Sequence, residues 1–256
     1  MTVTGGRTAR VGSWFGRDVT PAAAAQLFCL PHAGAGASTY RQWQALAGPE
    51  VAVVPVRLPA RESRFGEPPI RSAAAMADAL LHPLMDRAGE RRFALFGHSM
   101  GALLGYELAQ RLTRLGRPPA HLVVSGYAAP HLSSPSGEGT VHQLSDPDLV
   151  DHLKALDGTA GEVLNEPKLL ELLLPVIRAD YELCETYRYP GHPPLPVPIT
   201  ALGGTEDPDL GEGRLQAWRE LTTAAFTVVP FTGGHFYLNE HLDEVVGIAR
   251  DASLRN

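Results

Sequence analysis

Chemistry in this chain centres on Gly97-His98-Ser99-Met100-Gly101. A serine hydroxyl is a weak nucleophile until a histidine takes its proton. That histidine in turn needs a carboxylate to fix its tautomer and stabilise its charged form. Residues 91–96 before the serine read as an apolar strand, and 102–109 after it read as a helix. So sharp a strand-to-helix turn cramps the serine backbone, and flanking glycines remove Cβ atoms that would clash. The hydroxyl is left exposed at the carboxyl end of the sheet, beside the positive end of the helix.

Both partners follow, in the chain order Ser, Asp, His that marks α/β-hydrolases. Residues 197–204 read as a buried strand ending in Gly203-Gly204, and Thr205-Glu206-Asp207-Pro208 comes next. Glu206 and Asp209 are rivals for the carboxylate role; Asp207 is preferred because the Gly-Gly-x-x-Asp-Pro turn projects it. After a further strand at 226–231, Gly233-Gly234 frees His235 to reach the serine. Of the ten histidines, His82, His121, His131, His142, His152, His192 and His241 read as solvated. His98 reads as a packing residue pointing away from the reaction. His32 opens the glycine-rich stretch Pro31-His32-Ala33-Gly34-Ala35-Gly36 after an early apolar strand at 26–30. That is where the fold places one oxyanion donor, so the backbone N–H groups of Ala33 and Met100 are assigned to the oxyanion hole. A dinucleotide loop is excluded because the third glycine of Gly-x-Gly-x-x-Gly is missing.

The elements that must position these residues alternate between strand and helix, which predicts a mostly parallel central sheet flanked by helices. Residues 10–15 read as a first edge strand, followed by strands at 26–30, 51–56, 91–96 and 121–126 and helices near 40–47 and 70–88. The second of these helices carries a stripe of Met76, Leu80, Leu81 and Leu84. The closing pieces are a helix around 214–222 and a terminal helix from about Asn239. From about 129 to 196 helical patterns occur with no convincing strand. This stretch is expected to be a lid inserted between the sixth and seventh strands of a single domain spanning 1–256. Ser145 is a plausible N-cap there, and Leu169, Leu172, Leu173 and Val176 are assigned to the face over the substrate chamber, with Ile177 alongside.

Composition narrows the alternatives. The 256 residues suffice for one large α/β domain, and a net charge of −6 with interspersed signs argues against a nucleic-acid partner. No long apolar run suggests a membrane span, the N-terminus lacks the apolar core of a secretion signal, and two distant cysteines offer neither a disulfide framework nor metal-ligand spacing. A cytoplasmic location is expected.

Over nearly its whole length the chain resembles the type II, or editing, thioesterases of polyketide synthases and non-ribosomal peptide synthetases. The marks are Leu30-Pro31-His32-Ala33-Gly34 with Tyr40-Arg41-x-Trp43, Val56-Arg57-Leu58-Pro59-Ala60-Arg61-Glu62, and the serine motif itself. They continue with Leu174-Pro175-Val176-Ile177-Arg178-Ala179-Asp180-Tyr181, Gly203-Gly204-x-x-Asp207-Pro208 and Gly233-Gly234-His235-Phe236. Two departures stand out: the family often has Gly at Ala60, and a tighter Gly-Gly where this chain has Gly34-Ala35-Gly36. The resemblance implies hydrolysis of acyl groups from the phosphopantetheine arm of an acyl or peptidyl carrier protein, without metal or redox cofactor. Arg57 and Arg61 are expected to order their loop or dock an acidic carrier, and Arg64 to be solvated. The alternatives are a chain-terminating medium-chain fatty acyl thioesterase, a general carboxylesterase, and a non-catalytic synthase-binding protein.

Overall fold

The computed structural model describes residues 13–16, 20, 22–132, 141–155, 167–211 and 213–255. Six parallel strands form one sheet in the order β2-β1-β3-β4-β5-β6: β1 (Ala25–Leu30), β2 (Val51–Pro55), β3 (Arg92–His98), β4 (Leu122–Ser125), β5 (Ile199–Gly204) and β6 (Phe226–Phe231). Parallel strands need helical crossovers, which cover both faces, so the central strands are buried on both sides and mostly apolar instead of alternating with solvated residues. Every residue of β1 and β5 is accordingly buried.

The alternation of side chains divides the interior into two cores. Phe28 and Leu30 of β1, with Phe93 and Leu95 of β3, face the core completed by α2 (Ala73–Ala88) and α3 (Met100–Arg114). Leu27 and Cys29, with Ala94 and Phe96, face the opposite core, closed by α1 (Trp43–Ala47) and the terminal helix. The predicted stripe on α2 forms as expected: Met76, Leu80 and Leu84 are buried and Leu81 packs at the margin. Ser72 caps that helix by accepting from Ala75 N–H.

Three predicted elements differ. No strand forms at Ser13–Phe15; Trp14 C=O instead accepts from Arg57 N–H at 2.8 Å, and residues 10–12 lie outside the described residues. The helix expected at 214–222 is a 3₁₀ segment, Gln216–Leu221. The strandless insertion lies between the fourth and fifth strands of the described sheet, β4 and β5, rather than between a sixth and a seventh, because that sheet has six strands in all and two of them follow the insertion.

Within that insertion the described helices are α4 (Asp146–Ala155) and α5 (Pro167–Glu185), and the chain ends in α6 (Leu242–Leu254). Ser145 caps α4, its Oγ accepting from Asp148 N–H at 3.4 Å. Helices α4 and α5 form a small core of their own, Leu149, Val150 and Leu153 against Leu174 and Ile177. The apolar face predicted on α5 therefore divides. Leu173 packs at the edge of this core and Val176 is buried, but Leu172 is 51% exposed; the side chain of Leu169 lies outside the described residues.

Candidate active site

The turn between β3 and α3 holds Ser99 at φ 53°, a left-handed conformation that costs a non-glycine residue about 1–3 kcal/mol. The neighbouring glycines are obligatory for measurable reasons. A Cβ on Gly97 would come within 2.0 Å of Gly101 O, and one on Gly101 within 2.1 Å of Leu30 O. The elbow is thus folded tightly on itself and pressed against the end of β1. Ser99 N–H donates to Ser125 O at the end of β4 (2.8 Å), and Ser99 itself remains partly exposed.

Asp207 and His235 are brought together by two loops joined through their backbones. Thr205 N–H donates to Phe231 O at 2.8 Å and Glu206 N–H to Gly233 O at 2.9 Å. This approach needs Gly204, whose Cβ would lie 2.2 Å from Gly234 O, and Gly233, which sits at φ 111°. His235 Nδ1 then meets Asp207 Oδ2 at 2.7 Å, while Asp207 Oδ1 accepts from Asp209 N–H at 3.0 Å. Asp207 is buried, whereas its rivals Glu206 and Asp209 are exposed. The His235 ring lies against Gly126, the residue after Ser125, so the serine and histidine share the same corner of the sheet.

His98 does not point away from this corner. It is fully buried, its ring centroid 5.0 Å from that of His235, with Nδ1 2.9 Å from Ser125 Oγ and Nε2 without a hydrogen-bond partner. Burial and the neighbouring histidines His235 and His32 hold His98 well below the usual imidazole range. His32 stands edge-on to His98 and Phe236, and withdrawal from water, reinforced by His235 and Arg61, lowers it to about 4. His121, expected to be solvated, is buried beneath the sheet end with Nε2 2.8 Å from Thr200 Oγ1.

The arginines behave differently from their sequence reading. Arg64 is 3% exposed, pairs with Glu67 (Nη2–Oε2 2.6 Å), donates to Arg57 O and lies 3.8 Å above the Trp14 ring. Arg61 is also buried, and its guanidinium meets both carboxylate oxygens of Asp180 on α5, Nη1–Oδ2 at 2.7 Å and Nη2–Oδ1 at 2.8 Å. Asp180 Oδ2 accepts further from Gly34 N–H at 2.8 Å. Of the two arginines expected to order their loop or dock an acidic carrier, Arg61 is held by Asp180 and orders its loop, while Arg57 donates from Nη1 to Phe15 O at 3.5 Å. The spacing Ile177-Arg178-x-Asp180 in α5 thereby acquires meaning. Ile177 covers Gly34, Arg178 holds His142 O and Leu144 O ahead of α4, and Asp180 grips the glycine-rich loop. Nothing in the sequence reading assigns Asp180 a role at the site; its signal is a lone acid on an otherwise apolar face of α5.

Two of the sequence departures also resolve. Ala60 occupies φ 68°, a conformation that suits the glycine more usual there. Gly34 sits at φ 77°, where a Cβ would meet Ile177 Cγ1 at 2.8 Å, and a Cβ on Gly36 would displace the Glu62 carboxylate that accepts from Ser38 N–H.

A serine on a strained elbow, at the same corner of the sheet as a histidine whose Nδ1 is held by a buried carboxylate, has the side chains that acyl transfer through a covalent intermediate needs. The thioesterase-domain family matches residues 25–252. The chain belongs to the thioesterase family. The type II thioesterase BorB of the borrelidin cluster superposes with a TM-score of 0.87 at 41% identity, covering 95% of this thioesterase and 99% of BorB. Gramicidin S biosynthesis protein GrsT of Aneurinibacillus migulanus is 36% identical over 93% of this chain and 92% of its own. A third relative, LgrE of Brevibacillus parabrevis, is named a linear gramicidin dehydrogenase and is 38% identical over 90% of this chain and 88% of its own.

The chain is thus a thioester hydrolase related to the type II enzymes of polyketide and non-ribosomal peptide synthesis. Among the described residues the group with ligand atoms close enough to share a metal ion is Asp207, Asp209 and His235. Its Asp207 and His235 atoms are the ones already engaged with each other. No helix among the described residues is long and apolar enough to cross a membrane.

Proposed function

We propose that this thioesterase removes short or aberrant acyl groups from the phosphopantetheine arm of acyl or peptidyl carrier proteins, with Ser99, His235 and Asp207 as its catalytic triad. The observation that carries the reading is the 2.7 Å contact between His235 Nδ1 and buried Asp207 Oδ2 beside an elbow serine. In this reading Ser99 Oγ attacks the thioester carbonyl as its proton passes to His235 Nε2. The tetrahedral oxyanion is held by the N–H groups of Ala33 and Met100. Met100 is the first residue of α3, so its N–H has no partner within the helix. The C–S bond breaks, the proton moves from His235 to the pantetheine sulfur, and acyl-Ser99 remains. Water, deprotonated by His235, then releases the free acid. Every proton step is supplied by these side chains, so the mechanism calls on no metal or redox cofactor.

Helices α4 and α5 act as the lid. Of the face first assigned to the chamber, Val176 stays buried, and Ile177 stands against Gly34 beside the oxyanion loop. These two residues, rather than exposed Leu172, are the ones to limit acyl length. A buried methylene is worth only about 0.8 kcal/mol, so exclusion of length discriminates better than attraction. The test is turnover on a panel of carrier proteins loaded with acetyl, propionyl, hexanoyl and longer chains, with Ser99→Ala as the inactive control. Acetyl and propionyl carriers should be cleaved fastest, and faster than the same acyl groups on a small thiol. Fastest turnover on long chains would replace editing by chain termination, and full activity of folded Ser99→Ala would remove the serine assignment.

A further inference from the structure

Asp180 is fully buried and belongs to the insertion, yet its carboxylate is spent on two loops at the carboxyl end of the sheet. Its Oδ2 accepts from Gly34 N–H (2.8 Å) and from Arg61 Nη1 (2.7 Å), and the same Arg61 nitrogen donates to Ala35 O at 3.0 Å. Arg61 is anchored in turn, its Nε donating to Pro59 O at 3.1 Å. Two consecutive residues of the glycine-rich loop are therefore gripped, one through its N–H and one through its C=O. Within the loop Ala35 N–H donates to His32 O at 3.1 Å. His32 C=O and Ala33 N–H belong to one planar trans peptide and point in opposite directions. Holding the carbonyl into the turn therefore turns the Ala33 N–H outward. The Gly34 N–H, committed to Asp180, is not available to substrate.

We infer that Arg61 and Asp180 are positioning residues that hold the Ala33 N–H in donor geometry, so that the docking of helix α5 sets the strength of oxyanion stabilisation. The inference rests on the proposed acyl-enzyme reading and adds to it the coupling of lid and oxyanion hole. Ile177, packed where a Cβ on Gly34 would be, makes the loop and the helix one contact surface. An undocked α5 leaves the Gly34 N–H and Ala35 C=O without these partners, and the peptide unit between His32 and Ala33 loses its fixed direction. Lid closure over a substrate would thus complete the site as well as cover it.

The test compares the unmodified enzyme with the double variant Arg61→Met/Asp180→Leu, which removes both charges and strands neither. Arg178→Met serves as a second variant: it loosens α5 from the segment before α4 without touching the loop. Each is assayed for thermal unfolding, kcat and KM on an acetyl-carrier thioester. Two inhibitors complete the readout. An alkylboronic acid accepts Ser99 Oγ at boron while the serine proton passes to His235, giving a tetrahedral anion with a hydroxyl at the oxyanion position. An S-alkyl pantetheine thioether occupies the ground-state site and forms no such anion.

Loss of one oxyanion donor costs about 10²–10³-fold in kcat, and the double variant should lose at least tenfold within that ceiling, with KM nearly unchanged. Its boronate affinity should fall by a similar factor and its thioether affinity should stay constant. Arg178→Met should keep boronate affinity. Should the double variant fail to fold, Arg61→Lys, which keeps the charge but not the two-pronged contact, gives the same readout with a smaller loss. The inference is overturned if a folded variant of the pair keeps its kcat and boronate affinity, or loses activity only through KM. If the boronate does not inhibit the unmodified enzyme, the serine assignment itself fails, and the inference with it.

Discussion

Replacing Asp207 by Asn tests the proposed triad at its most constrained point. The two oxygens of Asp207 face different partners: Oδ1 accepts from Asp209 N–H at 3.0 Å and Oδ2 meets His235 Nδ1 at 2.7 Å. An amide carries one acceptor and one donor, and the backbone N–H of Asp209 cannot change its sign. The Asn oxygen must therefore take the Oδ1 place, and the NH₂ is turned toward His235. His235 can then satisfy it only by presenting a bare Nδ1, which puts its proton on Nε2, the nitrogen that should accept from Ser99. The side chain keeps its shape and burial, so folding should be little affected. Turnover should fall about 10⁴-fold, the loss seen when such a histidine is held in the wrong tautomer. This corresponds to about 5.5 kcal/mol in the barrier, at 1.36 kcal/mol per factor of ten. Single-turnover hydrolysis of an acetyl-carrier thioester, followed beside thermal unfolding, measures both quantities. Activity within tenfold of the parent in a folded Asp207→Asn protein would refute the tautomer argument and return the role to Glu206 or Asp209.

Gly101→Ala should cost most of the folded protein or its activity, because its Cβ would lie 2.1 Å from a backbone oxygen, Leu30 O; expression yield and unfolding temperature decide this. Gly105→Ala, one turn further along α3, meets only side-chain methyls, Leu122 Cδ1 at 3.3 Å and Leu30 Cδ1 at 3.8 Å, and should stay within about 1 kcal/mol of the parent, helix propensity offsetting the crowding. Ala60→Gly should be neutral or stabilise by up to about 1 kcal/mol in urea titration, since it relieves a left-handed φ of 68°. Acid should weaken the fold between pH 6.5 and about 4. His32 and His121 are lowered to about 4 chiefly by burial, so the unfolded chain binds more protons throughout that window. Stability is then complete above about pH 6.5 and falls as pH drops, by at most about 1.4 kcal/mol per pH unit for His121 alone. His121→Gln should flatten the pH dependence of the urea midpoint, and an unchanged slope would deny that His121 is kept neutral.

The local chemistry of this protein was written in the sequence because it depends on neighbours along the chain. The elbow needs glycines two residues either side of Ser99, and Asp207 and His235 each follow a strand through a glycine pair. Six apolar strands separated by helices oblige a parallel sheet, whose carboxyl edge collects all three residues. Burial of charge was not legible, since it is decided by partners far away in the chain. Arg64 reads as a surface residue until Trp14, from the segment before β1, covers its guanidinium, and Arg61 is committed to its loop only when Asp180 arrives from 119 residues away. The α5 face misled for the same reason. Helical periodicity shows that Leu169, Leu172, Leu173 and Val176 share one side, but which of them is covered depends on where α4 docks, and Leu172 is left in water. His98 shows the limit most sharply: strand alternation predicts only that it leaves the serine's side, and tertiary packing returns its ring to His235. Local pattern along the chain names the residues able to react, and the packing of distant segments settles which charges are buried and hold them in place.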